Sequence, residues 1–375
     1  MPIKELPAEP GMSLEQVDTP ALLVDLDAFE WNVEQMAKET SAKSMRLRPH
    51  AKTHKCAVIA SQQISQGAVG MCCQKISEAE ALVNEGVGDV FVTNEVVGRH
   101  KLDRLASLAE RASVAVCVDN LENLEELGTV ARSLNANIGV FVELDVGGGR
   151  CGVPDGEAAL TLAQRAHSLP NLQFKGLQAY QGLAQHVRAH SARKSLIDRG
   201  VESVRRTIDL LSSRGLACDV VTGGGTGTYR FEAETGIYNE VQPGSYIFMD
   251  ADYRRNLTET GTEFADFRQS LFVYTQVMSI ARRDYAVVDA GLKALAFDSG
   301  MPVLQDFPNI RYCHPSDEHG MLDLSEAPNA LSLGSKIKLI PGHCDPTVNL
   351  HDWYVAIRGR RVEALWPIVG RGAVL

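Results

Sequence analysis

The chain has 375 residues, of which 45% are hydrophobic, and it carries a formal net charge of −10. A chain of this length buries a large core without disulfide or metal staples, and the absence of a basic block argues against nucleic acid as a partner. No apolar run approaches the roughly 18 residues that a membrane span needs, and the first residues do not resemble a signal peptide. We therefore expect a cytoplasmic protein with no membrane partner, whose eight cysteines are reduced thiols.

An alternation of strands and helices follows an N-terminal arm (1–19) and a short apolar strand at 21–25. Eight further apolar strands are predicted near residues 47–52, 70–74, 89–93, 114–119, 138–145, 174–180, 218–222 and 238–242. Such alternation is typical of a parallel sheet that is covered on both faces. Eight strands favour an α/β fold with a closed, TIM-like (β/α)₈ barrel, and an open doubly wound sheet is the alternative.

The chain becomes charged and polar near residues 255–270, and beyond this stretch strands dominate. Apolar runs at 271–280, 285–289, 336–340 and 353–366 predict a C-terminal domain that is mostly β. We divide the chain into an arm and strand (1–25), a barrel (26–258) and a β-rich domain (259–375). For the strand in the first segment, packing on the C-terminal domain is an alternative to packing on the barrel.

The stretch at 47–55 concentrates two histidines, an arginine and two lysines. Lys52 is predicted at the carboxyl end of the first barrel strand, which is the edge where such barrels carry catalytic groups. A lysine among other cations is expected to have a lowered amine pKa and to form a Schiff base with a carbonyl compound. A solvated lysine at the start of a helix is the alternative.

Two loops are candidates for binding a phosphate group. Thr222-Gly223-Gly224-Gly225-Thr226-Gly227 follows the seventh predicted strand, and Gly244-Ser245-Tyr246 follows the eighth. Glycines let backbone N–H groups close on an anion, and the loops after strands seven and eight commonly form the phosphate site of a barrel. A reactive lysine and a phosphate site on one edge predict pyridoxal phosphate. A glycine-rich turn without a ligand is the alternative.

A third group of residues suits a metal ion. His343 and Asp345 follow the predicted strand at 336–340, and alternate side chains of an extended segment point to the same side. One imidazole and one carboxylate suit a divalent ion, with Mn²⁺ or Mg²⁺ favoured over Zn²⁺. His351-Asp352 lies nearby at a less regular spacing, and an Asp-Pro turn without a metal is the alternative.

Other polar residues stand at or just after predicted strand ends. Tyr180 is placed to reach a cofactor ring, and Arg150 to pair with a substrate carboxylate or the cofactor phenolate. His186 is a candidate proton carrier. Gln74 and Asn94 also end strands. For each of them, a polar residue at the barrel rim is the alternative.

Together these motifs resemble the fold-type III pyridoxal-phosphate enzymes, in the branch of D-threonine aldolase, 3-hydroxyaspartate aldolase and eukaryotic-type D-serine dehydratase. The matching motifs span nearly the whole chain, and they are Asp18-Thr19-Pro20, Arg48-Pro49-His50-Ala51-Lys52-Thr53-His54-Lys55, Cys72-Cys73-Gln74-Lys75, Gly149-Arg150-Cys151-Gly152-Val153, Gln178-Ala179-Tyr180, Gly223-Gly224-Gly225-Thr226-Gly227, Asp289-Ala290-Gly291, Asp317-Glu318-His319-Gly320 and His343-Cys344-Asp345-Pro346-Thr347.

The resemblance implies a barrel of the alanine racemase N-terminal type. It implies that Lys52, and not Lys55, carries the Schiff base, and that His343 and Asp345 bind the metal. It also implies a homodimer in which each β-rich domain faces the partner's barrel mouth. Asp317 and His319 would then approach the partner's site, an arrangement that the sequence leaves open. The expected contacts of pyridoxal phosphate are Lys52, His50, Gln74, Tyr180, Thr222, Gly224, Gly225, Thr226, Gly244, Ser245 and Tyr246.

Asp345 distinguishes between activities within this family, because the dehydratase branch typically has cysteine there and uses zinc. We therefore expect an aldolase that depends on pyridoxal phosphate and a divalent metal and cleaves D-3-hydroxy amino acids to glycine and an aldehyde. Lys52, His186 and Arg150 are its expected catalytic residues.

The motifs conflict on the substrate. Arg48-Pro49-His50-Ala51 is similar to D-threonine aldolase. Tyr180-Gln181-Gly182 and His343-Cys344-Asp345-Pro346 are similar to 3-hydroxyaspartate aldolase, which gives glycine and glyoxylate. A dehydratase that gives a keto acid and ammonia, a racemase, and a non-enzymatic pyridoxal-phosphate carrier are further alternatives.

Overall fold

The computed structural model describes residues 6–375. A short 3₁₀ helix (Leu14–Gln16) precedes strand β1 (Ala21–Asp25) and helix α1 (Leu26–Ala42). The Asp25 side chain caps this helix by accepting a hydrogen bond from the Ala28 N–H over 3.1 Å. Strand β1 pairs with β10 (Leu271–Ser279) and β16 (Trp353–Arg358), so the first strand belongs to the C-terminal sheet and not to the barrel.

Eight parallel strands form the barrel. They are β2 (Arg46–Leu47), β3 (Met71–Cys73), β4 (Asp89–Glu95), β5 (Ser113–Val118), β6 (Ile138–Glu143), β7 (Leu172–Gln178), β8 (Val220–Gly223) and β9 (Glu240–Val241). They run in the order β2-β9-β8-β7-β6-β5-β4-β3. A bridge between His50 and Cys72 brings the chain after β2 against β3 and closes the ring. The predicted barrel is therefore confirmed, and the open sheet is excluded.

Helices cover the outside of the barrel. They are α2 (Ala57–Ser65), α3 (Ile76–Asn84), α4 (Arg99–Leu108), α5 (Leu121–Ser133), α6 (Glu157–Ser168), α7 (His190–Ser213) and α8 (Tyr229–Glu234). In α7, Ile197, Val201 and Val204 are buried, which is the apolar stripe expected of a helix that packs on a sheet. Gly215, with φ +74°, follows the end of this helix in the left-handed conformation that favours glycine.

The C-terminal domain is mostly β, as predicted. It adds β11 (Tyr285–Val288), β12 (Val303–Leu304), β13 (Arg311–Pro315), β14 (Gly320–Asp323), β15 (Lys336–Ile340) and β17 (Arg361–Pro367) to β10 and β16. The order β11-β14-β13-β12-β15-β10 closes on itself because β10 also pairs with β11, while β1, β16 and β17 extend the sheet from β10. Among the helices of residues 6–375, none is long and apolar enough to cross a membrane.

Two short helices bring the second domain to the mouth of the barrel. Helix α9 (Ala251–Arg254) ends the barrel, and α10 (Cys344–Val348) follows β15. The Cys344 N–H donates to the buried Asp250 carboxylate over 2.9 Å, and the Ala251 N–H donates to the Pro341 carbonyl over 3.0 Å. These bonds fasten the start of α10 to the carboxyl edge of the barrel.

Candidate active site

A cavity of about 140 Å³ lies where the carboxyl ends of the barrel strands meet the start of α10. Most of the candidate residues from the sequence line it. The lining comprises His50, Lys52, Thr53, Gln74, Thr93, Arg150, Gln178, Tyr180, His186, Gly225, Thr226, Gln242, Gly244, Ser245, Tyr253, His343 and Asp345. The lysine, the phosphate loops and the proposed metal ligands therefore share one cavity.

The structure separates the two lysines of the 47–55 stretch. Strand β2 is shorter than predicted, and Lys52 lies in the turn between β2 and α2, where it lines the cavity. Lys55 has φ +51° and is buried in an ion pair, with Nζ 2.6 Å from Glu78 Oε1. Lys52 is thus the lysine that is placed to meet a ligand, whereas Lys55 stabilises the turn.

The charge balance at Lys52 differs from the expectation. Burial lowers the pKa of the Lys52 amine, but the Asp345 carboxylate and Tyr180 outweigh burial, and the pKa is raised. The expected lowering of this pKa is therefore wrong for the protein without its ligands. The same contact acts on Asp345. Burial raises the pKa of the Asp345 carboxyl, but the charges of Lys52 and His343 outweigh burial and hold that pKa below its ordinary value. A divalent ion on Asp345 would replace the ammonium as partner and so favour the neutral amine.

His343 and Asp345 line the same cavity, although not for the predicted reason. The segment is not extended, since α10 begins at Cys344 and His343 is its N-cap residue. The His343 Nδ1 atom lies 2.6 Å from Asp298 Oδ2, so Nε2 is the ring nitrogen available to a metal. A carboxylate on the far nitrogen is the usual support of a metal-binding histidine. Asp298 has no signal in the sequence that singles it out.

The loop after β8 fits a phosphate group. Gly224 adopts φ +75°, which turns the chain directly after the strand. The Thr226 hydroxyl is buried and has no hydrogen-bond partner among residues 6–375, although Thr226 lines the cavity. At Gly244 a Cβ would lie 2.4 Å from the Thr53 hydroxyl, so only glycine lets this second loop approach. An unpartnered buried hydroxyl facing a cavity is what a phosphate oxygen would satisfy.

Three of the expected cofactor contacts lie outside the cavity. Thr222 is still inside β8, and its hydroxyl accepts a hydrogen bond from Gln242 Nε2 over 2.8 Å. Residues 245–247 form a 3₁₀ turn that points the Tyr246 ring into the core, where its hydroxyl accepts from Gln63 Nε2 over 2.9 Å. Gly224 faces the Glu232 side chain beneath the loop, since a Cβ at Gly224 would lie 3.2 Å from the Glu232 carboxyl carbon. Of the expected phosphate contacts, Gly225, Thr226, Gly244 and Ser245 line the cavity.

Several lining residues were missed in the sequence, and they are Thr53, Thr93, Gln178, Gln242 and Tyr253. Gln242 Nε2 donates to Gln178 Oε1 over 2.9 Å across the floor of the barrel mouth. Polar residues at the carboxyl ends of apolar strands were the signal that would have found most of them. Tyr253 has no such signal, because it lies on the short helix α9.

His50 lines the cavity as a neutral imidazole. Burial, with a smaller contribution from the Lys52 charge, lowers the pKa of its imidazole to about 3. The Nε2 atom lies 3.2 Å from Gln74 Oε1 and 3.0 Å from the Thr93 hydroxyl. These bonds orient the ring without giving it a charge.

Arg150 and Tyr180 lie together at the mouth. The Arg150 guanidinium carbon is 5.9 Å from the centre of the Tyr180 ring, and its Nη2 is 4.0 Å from Glu143 Oε1. Burial raises the pKa of the Tyr180 hydroxyl, and the opposing charges of Lys52 and Arg150 do not reverse the shift. Tyr180 therefore presents a neutral phenol.

His186 is anchored on one side. Its Nδ1 lies 2.7 Å from Asp252 Oδ2, which leaves Nε2 as the nitrogen available to a substrate. Burial raises the pKa of Asp252, but hydrogen bonds from His186 and from two arginines outweigh it, and the carboxylate stays ionised. An anionic partner on Nδ1 fixes the tautomer of a histidine.

The remaining candidates lie away from the cavity. Asn94 donates to the Gln74 carbonyl over 3.1 Å, and His351 Nε2 lies 2.9 Å from the Ala294 carbonyl. Asp317 and His319 are exposed in the turn between β13 and β14. Their approach to a partner subunit stays a prediction.

Comparison with known proteins identifies the family of the chain. Residues 24–252 match the family described as alanine racemase, N-terminal domain, and residues 270–357 match the putative serine dehydratase domain. The chain is 46% identical over 372 residues to 3-hydroxy-D-aspartate aldolase of Paracoccus denitrificans, covering 98% of this chain and 96% of that protein. It is 44% identical over 366 residues to D-threonine aldolase of an Arthrobacter species, with the same coverage of 98% and 96%.

A solved structure of D-threonine aldolase from Filomicrobium marinum superposes with a TM-score of 0.96 at 47% identity, covering 99% of this chain and 100% of that one. The D-threo-3-hydroxyaspartate dehydratase from a Delftia species is more distant, with a TM-score of 0.84 at 25% identity, covering 95% of this chain and 98% of that one. The chain belongs to the alanine racemase-like family of carbon–carbon lyases that contains D-threonine aldolase and 3-hydroxy-D-aspartate aldolase.

Proposed function

We propose that the protein is an aldolase that uses pyridoxal phosphate and a divalent metal to cleave D-3-hydroxy amino acids such as D-threonine. The observation that carries the proposal is that Lys52 lines the same cavity of about 140 Å³ as His343 and Asp345. One amine for a carbonyl cofactor thus lies beside one nitrogen and one oxygen ligand for a metal. One small cavity thus contains both the lysine for the cofactor and the ligands for the metal that such an aldolase needs.

The residues present fit the cofactor. Lys52 would hold pyridoxal phosphate covalently, and Tyr180 would lie by its ring as a neutral phenol. The phosphate would take the unpartnered hydroxyl of Thr226, together with the loop at Gly244 and Ser245. When bound, the cofactor supplies an electron sink for a bond broken at the α-carbon.

The metal would be held by His343 and Asp345, with Asp298 fixing the imidazole. Nitrogen and carboxylate ligands suit Mn²⁺ or Mg²⁺, which supply Lewis acidity toward an oxygen of the substrate. We propose His186 as the group that takes the β-hydroxyl proton through Nε2, since Asp252 occupies Nδ1.

The products follow from that proton transfer. The hydroxyl loses its proton and its oxygen becomes the aldehyde carbonyl, the bond between the α- and β-carbons breaks with its electron pair left on the α-carbon, and the α-carbon gains a proton in place of that bond. D-threonine then gives glycine and acetaldehyde.

3-Hydroxyaspartate is the second candidate substrate, giving glycine and glyoxylate. It carries an additional carboxylate, and the cavity is also lined by the guanidinium of Arg150, which neither the cofactor, the metal nor the proton transfer would use. Arg150 is 59% exposed, so it is accessible to a substrate at the mouth. A dicarboxylic substrate would therefore find a charge partner.

The test is product identification. The protein, loaded with cofactor, is incubated with D-threonine and with 3-hydroxy-D-aspartate, with Mn²⁺ or after exhaustive chelation. We expect glycine and the matching aldehyde only when metal is present. A keto acid and ammonia without glycine would refute the aldolase in favour of a dehydratase, and full activity after chelation would refute the metal.

Two variants sharpen this test. Asp345→Asn removes the charged metal ligand, and we expect it to lose most of the metal-dependent cleavage. Asp306→Asn changes an exposed carboxylate of the same domain that does not line the cavity, and it serves as the matched control.

We further propose a cytoplasmic homodimer, from the resemblance to the fold-type III enzymes. Light scattering of the purified protein at working concentration gives its mass directly, and a monomer that is fully active would refute the dimer.

A further inference from the structure

A buried hydrogen-bond network supports the phosphate loop from below. Gly227 N–H donates to Gln185 Oε1 over 2.9 Å, and Gly225 N–H donates to the Thr228 hydroxyl over 3.3 Å. Gln185 Nε2 donates to the same hydroxyl over 2.8 Å. The Thr228 hydroxyl in turn donates to Glu232 Oε1 over 2.8 Å. Two N–H groups of the loop are therefore held by a network that ends at one carboxyl group.

The other oxygen of that carboxyl group is bare. Glu232 is 1% exposed, and its Oε2 has no hydrogen-bond partner among residues 6–375. It packs directly beneath Gly224, where a Cβ would lie 3.2 Å from the carboxyl carbon and 3.4 Å from Oε2. A buried charge with an unsatisfied oxygen costs far more free energy than a neutral acid at the same place.

Among residues 6–375, no cation contributes to the pKa shift of Glu232. Burial raises the pKa of its carboxyl group to about 7, and the groups that oppose this shift are the Thr228 hydroxyl and a backbone N–H. Tyr180 and Tyr238 are the titratable groups that respond to Glu232. Burial, and to a smaller extent the charge of Glu232, raises the pKa of both phenols, so both stay neutral.

The cations nearby are committed elsewhere. Arg230, on the same helix, pairs with Glu39 over 2.6 Å and with Asp266 over 2.8 Å. The buried guanidinium of Arg193, on α7, donates to backbone carbonyls, among them that of Leu257 over 2.8 Å. Neither arginine is among the groups that shift the pKa of Glu232.

We infer that Glu232 is a positioning residue for the cofactor phosphate, and that it serves in its neutral, protonated form. The inference rests on the proposed pyridoxal-phosphate site. A phosphate dianion above the loop and a carboxylate below it would repel each other across a water-free layer. Binding of the phosphate therefore favours the proton on Glu232, and the affinity for the phosphate falls as rising pH removes that proton.

The test uses a ligand that cannot react with Lys52. Pyridoxine 5'-phosphate lacks the aldehyde, and pyridoxine lacks both the aldehyde and the phosphate. Each is titrated into the full-length apoprotein by calorimetry between about pH 6.5 and pH 9. The second ionisation of a phosphate monoester lies at about pH 6, so the phosphate itself changes little above pH 7, and the ionisable ring groups are common to both ligands.

For the wild type we expect the Kd of pyridoxine 5'-phosphate to rise by about tenfold per pH unit above pH 7. The Kd of pyridoxine should stay nearly constant. In Glu232→Gln the rise should disappear, so that the variant binds the phosphate ligand about 30-fold more tightly than the wild type near pH 8.5. Glu234 is an exposed residue on the same helix as Glu232, and it pairs with Lys43 over 2.8 Å. The Glu234→Gln variant should behave as the wild type.

Different failures have different meanings. Parallel pH curves for the wild type and Glu232→Gln would overturn the inference and leave the cofactor site intact. Should Glu232→Gln not fold, a ratio of the two Kd values that is constant with pH in the wild type would overturn it equally. If the phosphate gives no gain in affinity over pyridoxine even at pH 6.5, the proposed cofactor site itself is refuted.

Discussion

Replacing Asp298 by asparagine tests the metal site without touching a proposed ligand. The carboxylate accepts a hydrogen bond from His343 Nδ1 over 2.6 Å, which fixes the ring and makes Nε2 a better donor to a metal. Asparagine has nearly the same shape but no charge. The variant should therefore fold normally and bind the metal more weakly.

The size of the effect follows from the exposure of the pair. Loss of such an outer partner typically costs about 10- to 100-fold in metal affinity. The Asp298 side chain is 52% exposed and that of His343 is 25% exposed, so water screens the interaction. We therefore expect the lower end, about a tenfold rise in the Kd for Mn²⁺, which corresponds to about 1.4 kcal/mol.

The assay measures Mn²⁺ binding directly, by electron paramagnetic resonance of the free ion at fixed protein concentration. Ser299→Ala is the matched control, because Ser299 Oγ lies 3.4 Å from the same Nδ1 and donates to Asp298 Oδ2 over 3.1 Å, so the variant removes a neutral neighbour of the pair and keeps the carboxylate. An unchanged Kd in Asp298→Asn, or an equal loss in Ser299→Ala, would refute the assignment of Asp298 as the partner that supports the metal ligand.

Three further predictions address the turn, the phosphate loop and the proton carrier. Lys55→Met should lower the free energy of unfolding by about 3–5 kcal/mol in urea, because it leaves the Glu78 carboxylate buried without its partner; a loss below 1 kcal/mol would contradict this. Thr226→Val should weaken the binding of pyridoxal phosphate by about 1.5–3 kcal/mol in an absorbance titration, since it removes the unpartnered hydroxyl that we propose as a contact of the charged phosphate; equal affinity would show that the phosphate lies elsewhere. Asp252 has a lowered pKa, so its contribution to stability is present above its unfolded pKa of about 3.9 and is lost as pH falls toward the folded value. The stability of Asp252→Asn should therefore change less than that of the wild type between about pH 5 and pH 3, and identical acid-unfolding curves would refute the role of this carboxylate.

The eight barrel strands were predictable because their signal is local. Each is a short apolar run bounded by polar residues, and polar residues at the run ends mark the edge where a barrel carries its chemistry. Lys52 and Thr226 were found in this way, and both line the cavity. The same reasoning placed Thr222 in the site. Strand β8 continues to Gly223, one residue beyond the predicted end, and this keeps the Thr222 side chain within the sheet.

Contacts between the two domains were not predictable from local pattern. The pKa of Lys52 is raised because Asp345, from the other domain, faces it, and no spacing near Lys52 encodes that charge. Asp298 meets His343 only because the C-terminal sheet folds two separate loops together. The spacing of His343 and Asp345 led to the correct cavity through an extended geometry that α10 does not have.

We propose that one lysine, Lys52, carries the cofactor in the cavity that the proposed metal ligands also line. Borohydride reduction of the cofactor-loaded protein fixes the cofactor to its lysine, and peptide mapping by mass spectrometry then locates it. We predict a phosphopyridoxyl group on Lys52, in a protein whose cleavage activity is lost in proportion. A group on Lys55 or on any lysine outside the cavity, or no group at all, would contradict the account.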